Sequence, residues 1–186
     1  MIYSKRIKKA MKIMCNAHKD DVDKGGYPYV FHPIYLAMQM NGESGIVVAL
    51  LHDVIEDHGD KYSFEYLEKQ GFRPFEIETL KVLTHEHGIN DEEYMDYIKK
   101  IGENELATKV KIADLKHNLD KKRLKGEKIL NKERYENALK YLENIVDNYT
   151  VENKNDLAFE EAGFGKPVHG NKTGSVIMFF NQSADE

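Results

Sequence analysis

The chain holds one cysteine, Cys15, and nowhere an unbroken apolar stretch near the roughly 20 residues that span a bilayer. One thiol permits no internal disulfide and fits a reducing compartment. Cys15 falls on the apolar side of the first amphipathic segment, where packing is its natural role. Near the N-terminus, Lys5, Arg6, Lys8 and Lys9 interrupt Ile2, Ile7, Met11 and Met14, so the continuous apolar core of a signal peptide is missing. The expectation is a cytoplasmic protein with no membrane partner. A net charge of -5 argues against a general binder of nucleic-acid polymers, while leaving room for a small basic pocket that holds a phosphate. Strand-like alternation is nearly absent before the C-terminal tail, and there is no internal repeat.

What is present is helical periodicity over a chain of 186 residues, long enough for one ordinary domain with a short appendage. The 41% hydrophobic and 32% charged residues fit a soluble, globular class. Helices are predicted over about 3–18, from Pro33 to near Asn41-Gly42, and from a Ser44 cap through Asp57. Further helices are expected at about 63–70, 74–84, 91–101, 103–119 and 131–148. The body, 1–148, is therefore all-α. The tail, 149–186, is acidic and punctuated by Gly163, Gly165, Gly170 and Gly174; it is expected to be irregular or to carry a strand at 175–180.

The most informative segment is Ile46-Val47-Val48-Ala49-Leu50-Leu51, an apolar run that ends in His52-Asp53 and then Glu56-Asp57. A buried helix that ends in ionisable groups needs something to pair them, because unpaired buried charge is costly. His32, closing Tyr29-Val30-Phe31, and Asp114, closing Val110-Lys111-Ile112-Ala113, also end apolar stretches. Two imidazoles and two carboxylates form a mixed nitrogen and oxygen set that suits Mn²⁺, Fe²⁺, Zn²⁺, Co²⁺ or Ni²⁺ and leaves positions open. In one continuous helix His52 would share a face with Glu56, and Asp53 with Glu56 and Asp57. Such a cation favours hydrolysis, and Glu56 and Asp57, one turn on, are placed to move protons.

These residues carry a resemblance. His32, His52-Asp53 and Asp114 are similar to the signature of HD-domain metal-dependent phosphohydrolases. The segments from Ala17-His18 through Lys24-Gly25-Gly26-Tyr27-Pro28-Tyr29 to His32-Pro33, Ala49 to Asp57, and Lys111 to Asn118 resemble the hydrolase domain of RelA/SpoT proteins and stand-alone small alarmone hydrolases. The similarity spans about residues 3–145. It implies an HD-domain helical bundle with Mn²⁺ held by His32, His52, Asp53 and Asp114. It further implies removal of the 3′-pyrophosphate of (p)ppGpp with Glu56 and Asp57 as catalytic residues. Lys24, Tyr29 and Asn118 would then contact the nucleotide.

The chain also departs from that pattern. Asp23 stands where the nucleotide-contacting arginine is expected, and Leu115 where an arginine follows the last ligand. The acidic loop Asp20, Asp21 and Asp23 should repel a polyphosphate by about 1 kcal/mol or more per close charge. A nucleotidase or phosphoesterase for another small substrate therefore stays open, as does a metal-bearing regulatory module without turnover; a homo-oligomer is compatible with all three. Elsewhere, His18 reads as a brace for the loop. His85 and His87 read as cations at a helix C-terminus. His58, His169 and the run Lys121, Lys122, Arg123 and Lys125 read as solvated, with phosphate contact the sharper alternative for the basic run.

Overall fold

The segment Ile46 to Leu51 is apolar on every side, and a helix of that kind must be surrounded. In the computed structural model, which describes residues 4–86, 88–124 and 128–161, it is. The elements are α1 (Lys5–Ala17), α2 (Phe31–Met38), α3 (Glu43–Leu51), α4 (Val54–His58), α5 (Phe64–Lys69), α6 (Pro74–Leu83), α7 (Asp91–Gly102), α8 (Glu105–Asn118), a 3-10 turn (Lys121–Leu124) and α9 (Lys132–Glu161). The fold is all-α. Among the described residues the only β pairing is an isolated antiparallel bridge between Val22 and Pro28.

Helix α3 is the axis of the first unit, Met1–Ile145, and α1, α2, α6 and α8 pack around it. Its residues Gly45 to Leu51 are all buried. Helix α1 meets it with Ile7, Ala10, Ile13, Met14 and Ala17, a stripe at helical spacing whose start is fixed by Ser4, which accepts from the Ile7 N–H. Asn90 and Asn104 cap α7 and α8 in the same way. The second unit is Val146–Glu186.

Three boundaries differ from the sequence reading. Gly42, at φ 83°, rather than Ser44, caps α3; the positive φ suits a residue without a Cβ. Ser44 instead donates to Glu76 Oε1 at 2.7 Å. The expected long helix through Asp57 breaks at His52-Asp53, with Asp53 at φ -99°, ψ -5°, and restarts as α4. Helix α9 runs on to Glu161, past the expected end near Asn148. The strand expected at 175–180 lies outside the described residues, as do His87, Lys125 and His169.

Glu76 ties several of these helices together. Fully buried, it accepts from the Arg73 N–H at 2.8 Å and from Ser44, and lies 3.3 Å from Arg6 Nε. Arg6 also pairs with Glu43. Removing the carboxylate would strand these donors, which costs more than the pair itself contributes. Glu76→Ala should therefore lower the free energy of unfolding by about 3 kcal/mol, near the low end for a broken buried pair because Arg6 keeps some solvent contact. Urea denaturation checks this.

Candidate functional site

The break after α3 turns two adjacent side chains toward one point. His52 Nδ1 is 2.9 Å from the Ala49 carbonyl. A carbonyl only accepts, so Nδ1 carries a hydrogen, and the position left for a lone pair when the ring is neutral is Nε2. That Nε2 is buried and makes no hydrogen bond, although Asp53 Oδ2 is 2.9 Å away. His32, on the first turn of α2, brings its Nε2 to 3.7 Å from Asp53 Oδ2 and 3.2 Å from Asp114 Oδ1. Ligand-capable atoms of His32, His52 and Asp53 all lie within 4.8 Å of one another. Asp114, from α8, joins this group at His32.

A surrounding set of groups fixes each ligand. The second ring nitrogen of His32 faces His117 Nδ1 at 2.7 Å, and Tyr35 stacks on His117 from outside with ring centroids 4.1 Å apart. Burial, with Arg123 and His32 nearby, lowers the pKa of His117 to about 4, so it is a neutral acceptor for His32 at neutral pH. Tyr29 donates its hydroxyl to Asp53. Asn118 donates to Asp114 Oδ1, and Lys111 lies 2.9 Å from Asp114 Oδ2. Outer partners of this kind set the ring orientation and basicity of metal ligands.

The electrostatics favour a cation. Burial works against charge on Asp114, yet Lys111 and the two imidazoles hold its pKa well below the usual carboxylate range. Burial likewise opposes a charged His52, but Asp53 and Asp114 outweigh it and lift its pKa to about 9. A carboxylate pair that draws a proton onto a buried imidazole this strongly is a pair short of positive charge. The donor set fits a divalent transition-metal ion, and the orphaned Nε2 of His52 is the atom it would use.

Beside this group is a cavity of about 300 Å³. Asp53, Glu56, Asp57, Asp114 and Asp23 line it together with Lys24, Lys111, Arg123, Tyr29 and Asn118. Every residue singled out in the sequence as ligand, catalyst or substrate contact therefore comes to one locality, save that His32 and His52 stand behind the wall. Tyr29 and Asn118 spend their polar ends on Asp53 and Asp114, which makes them supports of the ligands.

Several residues behave otherwise than expected. His85 is no simple helix-end cation: its backbone N–H donates to Glu56 Oε2 at 3.2 Å, and its Nδ1 lies 3.3 Å from Glu56 Oε1. Arg123 turns inward, away from the solvated basic face, and donates to the His117 carbonyl at 3.2 Å, to Asn118 Oδ1 at 3.1 Å and to Asp23 Oδ2 at 3.2 Å. His58 is bonded to Asp21 at 2.7 Å instead of being solvated. The acidic loop is largely engaged from within: Asp21 is hydrogen-bonded to His18 and His58, and Asp23 meets Arg123 and the N–H groups of Gly25 and Tyr27, both at 2.9 Å. Gly25 is required here, because a Cβ would lie 2.0 Å from the Arg123 carbonyl oxygen. Leu115, where an arginine was expected, is buried in the core.

No protein-family model matches the chain.

The loop makes a pH-dependent contribution to stability. Burial tends to raise the pKa of Asp23, but the Tyr27 N–H, Arg123 and the Gly25 N–H together hold it below the ordinary value. A depressed folded pKa gives stability that is present above the unfolded aspartate value near 3.9 and lost as pH falls through the folded one. Asp23→Asn should cost about 1 to 2 kcal/mol at pH 7, since the amide can still accept from the two N–H groups. The difference from wild type should shrink steadily below about pH 4. Denaturation curves across that range measure it.

Proposed function

We propose that the chain is a metal-dependent phosphohydrolase of the HD type acting on a small nucleotide, with the 3′-pyrophosphate of (p)ppGpp as the leading substrate. The observation that supports this best is the buried Nε2 of His52, which makes no hydrogen bond, among His32, Asp53 and Asp114, just behind the wall of a cavity that Asp53, Asp114 and the pair Glu56 and Asp57 line. His32, His52, Asp53 and Asp114 would hold the ion, Mn²⁺ on the resemblance. When bound, it would neutralise phosphate oxygen and lower the pKa of water.

The protein's own groups supply the remaining work. Glu56 has one carboxylate oxygen on the His85 N–H and the other beside the His85 ring, so it is oriented as the acceptor of a proton from water. Asp57, more exposed on the same short helix, carries the second proton transfer toward the leaving oxygen. Lys24 and Arg123 provide cations for phosphate oxygens, and Arg123 offers a guanidinium where the loop itself lacks one. This favours the alarmone over the sequence-level objection, because Asp21 and Asp23 are already paired within the protein.

One observation favours the second reading, a phosphoesterase for a less charged substrate. Five carboxylates and three cations line a cavity of about 300 Å³, which is at the small end for ligand sites. A turnover screen of metal-loaded protein against ppGpp, NADPH and ordinary nucleotides separates the two. Glu56→Gln should retain the metal and lose turnover by about 10² to 10⁴. Asp53→Ala should lose both metal and activity. Activity that survives complete metal removal, or unchanged rates in both Glu56→Gln and Asp57→Asn, would overturn the assignment.

A further inference from the structure

A second group of histidines and a carboxylate lies outside the site described above, and the proposed hydrolysis makes no use of it. His18 follows the last residue of α1, Asp21 is on the loop, and His58 ends α4. His18 Nδ1 is 2.8 Å and His58 Nε2 is 2.7 Å from the same oxygen, Asp21 Oδ2. The two rings meet edge to face with centroids 4.9 Å apart. All three ligand-capable atoms lie within 4.8 Å of one another. The geometry points to a second divalent-cation site of the zinc type, made by His18, Asp21 and His58, that locks the loop 20–29 onto the ends of α1 and α4.

The donor set is right for such an ion. Two imidazoles and one carboxylate are the three-ligand complement of zinc sites with an open fourth position. The protonation states are right as well: burial lowers the pKa of His18, and although burial is the largest single influence on Asp21 and raises its pKa, the hydrogen bonds from His58 and His18 together hold it below the ordinary carboxylate value. Without an ion each ring donates a hydrogen to Asp21. With one, each ring would carry its hydrogen on the other nitrogen and present a lone pair to the ion, so binding needs a change of tautomer.

The positions can adjust to metal bonds. Bonds of about 2.0 to 2.2 Å at tetrahedral angles need ligand atoms somewhat more than 3 Å apart, slightly wider than the hydrogen bonds seen. The member that must yield is Asp21, a loop residue whose side chain is 34% exposed, whereas His18 is 1% exposed and held by Tyr29 with ring centroids 4.7 Å apart. The exposed side of Asp21 is also where ion and water enter. Because Tyr29 donates its hydroxyl to Asp53, an ion at His18 braces the first site through one tyrosine. Its role is structural.

The inference stands independently of the hydrolase reading and is tested by metal content and thermal stability. Chelator-stripped protein is reloaded with Zn²⁺, desalted and analysed for zinc per chain. Wild type should retain two ions, Asp53→Ala one, His58→Asn one, and the double variant none. In the Asp53→Ala background, where only the second site remains, Zn²⁺ should raise the melting temperature; adding His58→Asn should abolish that rise and weaken zinc binding at least about 100-fold. Asp21→Asn serves as a second variant on the solvent side of the cluster. One ion in wild type that His58→Asn retains, two in His58→Asn, or a zinc-dependent melting shift that survives both His58→Asn and Asp21→Asn would overturn the second site. Unchanged zinc content in Asp53→Ala would instead count against the first.

Discussion

The structure depends on how charge is accommodated at the end of an apolar helix. Helix α3 is surrounded by protein from Gly45 to Leu51, so the chain cannot turn its next residues to water without leaving the core. It breaks instead, and His52 satisfies its Nδ1–H on the Ala49 carbonyl left open by the break. That one bond fixes the tautomer, aims the other nitrogen inward and sets Asp53 beside it. Burial alone would neutralise these groups; the mutual arrangement of two imidazoles, two carboxylates and Lys111 keeps them charged or ready to bind charge.

The same accounting explains the loop. Read along the chain, Asp20, Asp21 and Asp23 are a run of like charge facing an anionic substrate. In three dimensions only Asp20 is left with no more than an exposed lysine neighbour, Lys19 at 3.3 Å. Asp23 caps its own turn and accepts from Arg123, 100 residues further on. The cation that the loop lacks in sequence is present in space, supplied by the turn after α8. Arg123 then links three features at once, because it also orients the Asn118 amide whose other end holds Asp114.

Local patterns carried the fold and singled out His32, His52, Asp53 and Asp114, which meet in space, and long-range pairing decided what local patterns could not. The periodicity of Ile7, Met11 and Met14 is legible because the partners lie within a turn or two of one another, whereas the Asn104 cap falls inside the helix expected from 103. The break at His52-Asp53 is not legible, since no glycine or proline marks it; it is imposed by the packing of α3. Ser44 has the chemistry of a cap, but Glu76, 32 residues away, takes its hydroxyl. His85 looked like a helix-end cation for the same reason: its partner, Glu56, comes 29 residues earlier. In both cases a carboxylate far along the chain takes the donor, Glu76 the Ser44 hydroxyl and Glu56 the His85 backbone N–H, as expected where hydrogen bonds to charge are worth about twice those between neutral groups.

Tyr29 shows how the two histidine groups become one mechanical unit. Its ring packs between His18 and His32, with centroids 4.7 and 5.5 Å away, and its hydroxyl ends on Asp53. Burial and the Asp53 charge push its pKa well above that of a free phenol, so at neutral pH its hydroxyl keeps its hydrogen and donates it to Asp53. A loop held only by its own turn would leave Asp53 to sample rotamers, and a ligand that moves by an ångström is a poor one. The loop is instead fixed at three points, by His18 and His58 on Asp21, by Arg123 on Asp23 and by Tyr29 on Asp53. Its acidic residues therefore anchor the wall of the cavity, which Lys24 and Arg123 line as well.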